Sequence, residues 1–372
     1  MEFVALKQQY ALYKTEIDSA IQEVLDQGCF IMGPHIKKLE RVLAEYVGTA
    51  HCIAVSSGTD SLQIALMALG IGPGDEVITV SFTWISSTEV IGLVGATPVF
   101  VDIDHTTYNI DISQIEQAIT SKTKAILAVN LFGQMPDYRA INSIAEKYGL
   151  AVIEDGAQSF GATQHGQKSG SVSTVGSTSF FPAKSLGCYG DGGALFTNDE
   201  VLAAKMRAIR THGGEQRHHH PYLGMNGRMD TLQAAILLAK FPHFPEEIAA
   251  RQRLGAFYTD QLKDYCITPA IESGNTHVYA PYTIRIPQRD QLAQALKAEG
   301  IPTAVYYPKC VHEQPVFHYL NYARGSLPVA EQAADEVLSL PMHPWLTNAE
   351  QEQVVTAIKK FMTPLGTSNI RT

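Results

Sequence analysis

The sequence predicts an α/β protein whose main sheet is mostly parallel and covered by helices on both faces. From about residue 50, short β-branched runs alternate with longer segments of helical periodicity, a pattern typical of parallel sheets. With 372 residues, 45% of them hydrophobic, the chain can bury a sizeable core, and this length predicts two domains. No apolar run approaches the roughly 18 residues that a membrane span requires.

The first part of the chain supplies the predicted sheet. Strands are expected, in order, at 52–56, 76–80, 98–102, 125–130 and 151–154, with a later pair at 177–181 and 194–197. Helices are expected between them, among others at 60–69, where Ser57 or Thr59 is placed to cap the first turn, and at 85–94.

The pattern changes after residue 230. A long helical stretch is expected from 231 to about 262, followed by a strand at 279–286, a helix at 290–299, a short strand near Val305 and two closing helices. We therefore predict an N-terminal segment and large domain over 1–245 and a small C-terminal α/β domain over 246–372.

Charge and cysteine content exclude several classes of function. The chain has 28 basic and 37 acidic residues, a net charge of -9, which makes it a poor partner for nucleic acid or an anionic membrane surface. Phosphate would need a local site. Five widely spaced cysteines without a CxxC motif suggest neither a disulfide framework nor a zinc site, so no metal is expected. The N-terminus lacks a signal-peptide pattern, and we expect a cytoplasmic protein.

One candidate phosphate site lies at 56–60, in the sequence Ser-Ser-Gly-Thr-Asp. The segment follows a predicted strand and opens a helix, so backbone N–H groups and the helix dipole converge there. Taken alone, an ordinary capped helix after a glycine turn is the more common explanation, and the lysine of a P-loop is missing.

Two further residues carry chemistry in combination. Asp155 ends a predicted strand, where side chains point into the crevice in which parallel sheets bind ligands; alone, it could simply cap a turn. Lys184 stands among small and apolar residues. It is either an ordinary surface lysine or a desolvated one with a lowered pKa that can attack a carbonyl.

Together these segments meet the needs of one cofactor. Pyridoxal phosphate requires a phosphate cradle, an amine for covalent attachment and an acid opposite its ring nitrogen. Asp155 and Lys184 would supply the acid and the amine. Gln158 could bond the ring hydroxyl and Trp84 could stack on the ring.

The motifs SSGTDSL, GDEVITVSFTW, EDGAQSFGA, SFFPAKSLGCYGDGGA, NGRMDTLQAA and LSLPMHP closely resemble those of the DegT/DnrJ/EryC1/StrS sugar aminotransferases, nearly from end to end. The resemblance implies a fold-type I, pyridoxal-phosphate-dependent homodimer with each active site at the subunit interface. It implies that Lys184 bonds the cofactor and moves the proton, and that Asp155 pairs with the ring nitrogen. The residues that it implies for the phosphate are Gly58, Thr59, Ser179 and, from the partner subunit, Asn226. Those that it implies for the nucleotide-sugar are Arg228 (also from the partner), Tyr306, Tyr307 and Lys309; some relatives carry histidine in place of Tyr306.

Within the family, the chain resembles the enzymes that make UDP-2-acetamido-3-amino-2,3-dideoxy-glucuronate, most strongly around Lys184. The resemblance implies L-glutamate as amino donor, a UDP-linked 3-keto-N-acetylglucosaminuronate as acceptor, and a role in bacterial O-antigen or other surface-glycan synthesis. Arg217 and His219 lie in the run Arg-His-His-His at 217–220 and could reach the sugar carboxylate; a solvated loop explains them equally well.

Three rival functions remain open at this point. Transamination at C4 of a nucleotide-linked 4-keto-6-deoxy sugar uses the same motifs. The dehydratase branch of the family replaces the lysine by histidine, and Lys184 argues against it. A regulator that binds the cofactor or a nucleotide-sugar without turnover is improbable, because Asp155, Gln158 and Lys184 are all present.

Overall fold

A computed structural model of the chain describes residues 1–362 and confirms the α/β class. The strands are β1 His51–Val55, β2 Glu76–Val80, β3 Thr97–Val101, β4 Thr123–Val129, β5 Ala151–Asp155, β6 Thr163–Gln164, β7 Gln167–Lys168, β8 Val175–Ser179, β9 Gly193–Thr197, β10 Tyr282–Arg285 and β11 Val337–Leu340. The helices are α1 Leu6–Leu12, α2 Lys14–Gln27, α3 Pro34–Val47, α4 Gly58–Ala68, α5 Ser86–Leu93, α6 Ile112–Ala118, α7 Tyr138–Tyr148, α8 Glu200–Arg210, α9 Thr231–Lys240, α10 Phe244–Leu262, α11 Arg289–Ala298, α12 Pro328–Glu336 and α13 Asn348–Met362.

Seven strands form the main sheet, in the order β1-β9-β8-β5-β4-β2-β3. The neighbours β3, β2, β4, β5 and β8 pair in parallel, whereas β9 is antiparallel to both of its neighbours. The predicted later pair of strands therefore lies in the same sheet. Because β9 alone runs in the opposite direction, the sheet is mostly parallel.

The strands of this sheet are buried because helices cover them. In β1, β2 and β5 every residue after the first is buried, as expected for β-branched strands between two helical layers. Aspartate side chains cap several of the helices: Asp111, Asp137 and Asp199 accept hydrogen bonds from backbone N–H groups of α6, α7 and α8. Among residues 1–362, no helix is long and apolar enough to cross a membrane.

The C-terminal part departs from the prediction in three places. The expected long helix is two helices, α9 and α10, separated by a 3₁₀ turn at Phe241–His243; Pro242 and Pro245 lie at this junction, and proline cannot donate the backbone bond that a continuous helix needs. The strand expected at 279–286 is only Tyr282–Arg285. The strand near Val305 is a single bridge between Ala304 and Ser339.

A second buried cluster lies in the C-terminal part. It contains side chains from α10, α11 and α13 and from the antiparallel pair β10–β11. The first cluster occupies the main sheet but also takes in side chains from 310 to 337. A domain boundary near residue 245 therefore stays a prediction, and residues 363–372 of the predicted second domain lie outside the described part of the chain.

Candidate active site

Asp155 lies at the carboxyl end of β5, as the sequence predicts. It is 6% exposed, and both of its carboxylate oxygens accept hydrogen bonds: Oδ2 from the Ser87 hydroxyl at 2.7 Å and Oδ1 from the Ala157 backbone N–H at 3.2 Å. These two hydrogen bonds fix the direction of the carboxylate. It can therefore face the ring nitrogen of a cofactor.

Lys184 lies in the connection between β8 and β9, where its backbone N–H donates to the Phe181 carbonyl at 2.8 Å. Burial lowers the pKa of its ammonium, and the negative charge of Asp155 partly opposes that shift. Within residues 1–362, the Lys184 Nζ forms no hydrogen bond or ion pair with another side chain. The structure thus supports the desolvated alternative for Lys184 over the ordinary surface lysine.

The turn that follows Lys184 is tight. A side chain on Gly187 would come within 2.4 Å of the Pro182 carbonyl oxygen, so only glycine fits there. The same glycine's carbonyl accepts a hydrogen bond from the buried Lys240 ammonium. Burial lowers the pKa of Lys240 to about 8. This contact fixes α9 against the loop that carries Lys184.

The start of α4 forms the expected anion site. Ser57, not Thr59, caps the helix, with its hydroxyl accepting from the Asp60 N–H at 3.0 Å. Gly58 packs so closely on Ser179 that an added Cβ would lie 2.7 Å from the serine Cβ. The Thr59 hydroxyl lies 2.8 Å from that of Ser86. Two helix starts, a glycine backbone and several hydroxyls therefore converge, and these groups fit a phosphate.

Gln158 and Tyr307 form one wall of the site. The Gln158 side chain accepts from the Phe132 backbone N–H at 2.8 Å and donates to the Tyr307 hydroxyl at 3.0 Å. Burial raises the pKa of Tyr307 and, to a smaller extent, of Tyr306, so both phenols stay protonated at neutral pH. Contact of Gln158 with a cofactor hydroxyl stays a prediction, since both ends of its amide already have protein partners.

Trp84 remains available for stacking. Its side chain is 58% exposed, and its ring lies 5.9 Å from that of Tyr307, centroid to centroid. Lys309, two residues after Tyr307 in the chain, is exposed. The aromatic residues predicted for cofactor and substrate are thus neighbours in the structure.

The residues predicted to act on a partner's site lie at the end of β1. The backbone of Arg228 bridges to Val55, and the Ser56 N–H donates to the Gly227 carbonyl at 2.9 Å. Asn226 is exposed, whereas the Arg228 Nε is buried without a hydrogen-bond partner among residues 1–362. Both side chains keep donors free for a ligand.

Arg217 and His219 are not drawn into the site within one chain. Both are exposed on the loop between α8 and α9, where Gln216 and His219 form an isolated backbone bridge. Neither side chain forms a hydrogen bond or ion pair with Asp155 or Lys184. Their proposed contact with the sugar carboxylate therefore stays a prediction. Residues 1–362 contain no group of three or more His, Cys, Asp or Glu side chains that could hold a metal ion.

Sequence reasoning missed two features of the site. Ser87 donates a hydrogen bond to Asp155 although the two are 68 positions apart in the sequence. The only feature of the sequence that could have indicated this role is the position of Ser87 at the start of α5. Glu154 is fully buried beneath Asp155, where its Oε1 accepts from Asn130, Ser169 and the Gly170 N–H at 2.6–2.8 Å. Burial raises the pKa of Glu154 to about 7.

A small polar cavity adjoins the Lys184 loop. It is lined by parts of the N-terminal segment, the loop itself, α10 and the segment after β11. Several of its buried atoms have no hydrogen-bond partner within residues 1–362: the Arg251 Nε, the Ser185 hydroxyl and both ring nitrogens of His343. The lysine loop, α10 and the segment after β11 therefore meet at this cavity.

Two known proteins are similar to this chain over nearly their whole length. A protein of Pseudomonas aeruginosa named UDP-2-acetamido-2-deoxy-3-oxo-D-glucuronate aminotransferase is 52% identical, over 96% of this chain and 99% of its own. A protein of Acidithiobacillus ferrooxidans named UDP-N-acetyl-3-dehydro-alpha-D-glucosamine 3-aminotransferase is 44% identical, over 96% and 97%.

Solved structures agree with the fold. An aminotransferase from Brucella abortus superposes with a TM-score of 0.95 at 43% identity, covering 97% of this chain and 99% of its own. A Bacillus subtilis protein solved with bound cofactor PMP has a TM-score of 0.90 at 33% identity, covering 98% and 85%.

The family model of the DegT/DnrJ/EryC1/StrS aminotransferases matches residues 12–359. The amine, the acid and the anion site described above fit pyridoxal phosphate, the cofactor that this chemistry requires. The chain therefore belongs to the DegT/DnrJ/EryC1/StrS aminotransferase family and is a pyridoxal-phosphate-dependent sugar aminotransferase.

Proposed function

We propose that the enzyme transfers the amino group of L-glutamate to C3 of a UDP-linked 3-keto-N-acetylglucosaminuronate. The product is UDP-2-acetamido-3-amino-2,3-dideoxy-glucuronate, a precursor for a bacterial surface glycan such as O-antigen. The observation that carries this proposal is the 52% identity, over nearly the full length of both chains, to the protein named for that reaction.

The protein's part in the chemistry begins with Asp155 and the start of α4. Bound pyridoxal phosphate supplies the group that carries nitrogen from donor to acceptor and the ring that accepts an electron pair. Asp155, whose carboxylate Ser87 and Ala157 hold in place, would pair with the ring nitrogen. Gly58, Thr59 and Ser179, with Asn226 of a partner, would hold the phosphate.

Lys184 moves the proton. Because burial lowers its pKa, its Nζ is more readily neutral and can accept the proton from the α-carbon of the amino acid. In the second half-reaction Nζ delivers a proton to C3 of the sugar.

Recognition of an acidic sugar requires a cation. Arg228, with its unpartnered Nε, and the exposed pair Arg217 and His219 are our candidates for the carboxylate, and Tyr306, Tyr307 and Lys309 for the rest of the nucleotide-sugar. The 44% identity to a protein named for the neutral 3-keto-glucosamine favours a second candidate, the same reaction without the carboxylate.

Two further features complete the proposal. We propose a homodimer in which Asn226 and Arg228 serve the partner's active site. Asn226 and the neighbouring Leu223 are exposed, and the Arg228 Nε has no hydrogen-bond partner within residues 1–362. We also propose a cytoplasmic location, since the cysteines within residues 1–362 are all unpaired.

The substrate is tested by the reverse half-reaction. The cofactor-loaded enzyme is mixed separately with UDP-2-acetamido-3-amino-glucuronate, with the corresponding UDP-3-amino-glucosamine and with a UDP-4-amino-6-deoxy sugar, and the absorbance of the bound cofactor is followed. We expect rapid loss only with the 3-amino-uronate and none in Lys184→Ala. Faster loss with the neutral sugar would favour the second candidate, and loss only with the 4-amino sugar would overturn both.

The shared site is tested by mixing two inactive variants, Lys184→Ala and Asn226→Ala, after dissociation and reassociation. If each site combines both subunits, half of the dimers are mixed and each mixed dimer has one intact site, so about a quarter of the activity returns. A mixture that stays inactive, although mass spectrometry of the native assembly shows mixed dimers, would contradict the shared site.

The role of Arg217 and His219 is tested by replacing both with alanine. If the kinetics on the uronate are unchanged, these two residues do not contact the sugar carboxylate.

A further inference from the structure

A buried ammonium lies at the end of α9. The Lys240 side chain is 2% exposed, and the hydrogen bond that its Nζ donates within residues 1–362 goes to the Gly187 carbonyl oxygen, not to an acid. Burial lowers the pKa of Lys240 to about 8, and the negative charge of Glu247 opposes part of that shift, so the ammonium is largely charged at neutral pH. Because a buried charge without a contacting acid costs free energy, a lysine at this position calls for a functional explanation.

The Gly187 carbonyl belongs to the lysine loop, which is our name for residues 180–192 between β8 and β9. Inside the loop, the N–H groups of Lys184 and Cys188 each donate to a backbone carbonyl of the same loop at 2.8 Å. Gly187 lies three residues after Lys184, and an added Cβ there would come within 2.4 Å of the Pro182 carbonyl oxygen. The loop is therefore one compact unit, and a displacement of Gly187 would move Lys184 with it.

The α9 helix holds the loop at a second point. The Gln233 Oε1 accepts a hydrogen bond from the Tyr189 backbone N–H at 2.9 Å, and the centroid of the Tyr189 ring lies 5.2 Å from the Lys240 Nζ. Gln233 and Lys240 are seven positions apart in α9, which places them about two turns apart on the same face of the helix. Residues 234–237 between them are buried. A helix packed in the core therefore fixes two neighbouring points of the loop.

The position of the Lys184 amine depends on this support. Its Nζ forms no hydrogen bond or ion pair with another side chain within residues 1–362, so its place is set by the backbone from which it extends. The amine must lie within bonding distance of the cofactor aldehyde and later of the carbon whose proton it takes. Displacing a reacting group by about 1 Å can cost about a hundredfold in rate.

We propose that Lys240, assisted by Gln233, is a positioning residue for Lys184. Its ammonium holds the Gly187 carbonyl, this contact keeps the lysine loop in place, and the loop sets the point from which the Lys184 amine reaches the cofactor. The role concerns a step that every substrate shares. It therefore goes beyond the proposed donor and sugar and does not depend on them.

Attachment of the cofactor to the apoenzyme tests the proposal without turnover. In this step the Lys184 amine condenses with the aldehyde of pyridoxal phosphate and one water is released; the visible absorbance of the bound cofactor gives the rate. Lys240→Met and Lys240→Gln form a matched pair, because the two new side chains have the same length and only glutamine keeps an N–H donor. Lys168→Met, on β7, is the control. Burial also lowers the pKa of Lys168, and its Nζ also lies over a tyrosine ring, 3.4 Å from the centroid of Tyr46.

We expect attachment to slow by about tenfold to a hundredfold in Lys240→Met, by less in Lys240→Gln and not at all in Lys168→Met. In the half-reaction with glutamate, the limiting rate should fall by a similar factor while the KM for glutamate stays unchanged, because Lys240 acts on the lysine and not on the binding of the donor. Equal attachment rates in Lys240→Met and Lys168→Met would overturn the proposal. Equal slowing in Lys240→Met and Lys240→Gln would also overturn it, since the lost donor would then not be the cause.

A further variant keeps the test decisive should the Lys240 variants fold poorly. Gln233→Met, again with a side chain of the same length, removes the second contact of α9. We expect slower attachment there too, by a smaller factor, because a neutral hydrogen bond is weaker than a charged one; attachment at the wild-type rate would contradict the support of the loop by α9. A wild-type enzyme that attaches the cofactor but does not react with glutamate would contradict the proposed function, whereas the attachment rates alone decide the role of Lys240.

Discussion

The hydrogen bond from Ser87 to Asp155 offers a direct test of how the acid is held. In Ser87→Ala the 2.7 Å bond to Oδ2 is lost, and only the 3.2 Å bond from the Ala157 N–H to Oδ1 remains. A hydrogen bond to a charged group contributes about 1.5–3 kcal/mol, and every 1.4 kcal/mol is about tenfold in affinity. Without cofactor, water in the open site can replace the lost hydroxyl. With cofactor bound it cannot, so the loss falls on cofactor affinity.

We therefore expect Ser87→Ala to bind pyridoxal phosphate about tenfold more weakly, or up to about a hundredfold. Affinity is measured by titrating the apoenzyme and following the visible absorbance of the bound cofactor. Thr88→Val is the matched control, because it removes the adjacent buried hydroxyl, which has no hydrogen-bond partner in the described part of the chain. If Ser87→Ala and Thr88→Val bind the cofactor equally well, Asp155 does not depend on this contact, and our account of how it is oriented is wrong.

Two further changes test the anion site and the buried network. Gly58→Ala places a methyl group 2.7 Å from the Ser179 Cβ, which is closer than real side chains approach. We expect cofactor and inorganic phosphate to bind less well, while Gly72→Ala, whose added Cβ would lie an ordinary 3.7 Å from the Val94 carbonyl oxygen, binds like wild type; equal binding in both would contradict the phosphate assignment. Because burial raises the pKa of Glu154 from 4.5 to about 7, the folded state holds its proton more tightly than the unfolded state. This carboxyl therefore costs stability as the pH rises from about 4.5 to 7 and above. Relative to wild type, Glu154→Gln should gain on the order of 2–3 kcal/mol between pH 4.5 and pH 8 in urea unfolding, and a pH-independent difference would refute the shift.

The parts predictable from sequence are those whose cause is local. The strands of the main sheet begin and end within a few residues of their predicted positions, because β-branched runs bounded by turns specify them. Asp155 and Lys184 were identifiable because each stands in a distinctive short segment. The start of α4 was predictable for the same reason. The sequence left the capping residue open between Ser57 and Thr59, and in the structure Ser57 caps the helix.

The parts that were missed have two causes: contacts between distant residues, and prolines that interrupt an otherwise regular pattern. The Gln158–Tyr307 bond joins positions 149 residues apart, and no periodicity in a single sequence indicates such a pairing. The strand expected near Val305 has a β-branched residue but lies between Pro302 and Pro308, and proline cannot donate to a ladder of hydrogen bonds. The apolar pattern from 231 to 262 continues past two prolines and therefore predicted one helix. Because proline cannot donate the backbone hydrogen bond that a continuous helix needs, the chain forms two helices there.

The single reversed strand explains why the phosphate site and the lysine lie together. Val55, Gly193 and Ser179 pair in one row across β1, β9 and β8, so the start of β9 meets the carboxyl ends of its two neighbours. An added Cβ on Gly193 would lie 2.4 Å from the Ser57 carbonyl oxygen, and only glycine permits this approach. The connection that returns the chain from β8 to β9 must therefore begin and end at the anion site. Lys184 is part of that connection. A parallel strand in place of β9 would begin at the opposite end of the strands, so the connection would leave the anion site instead of returning to it.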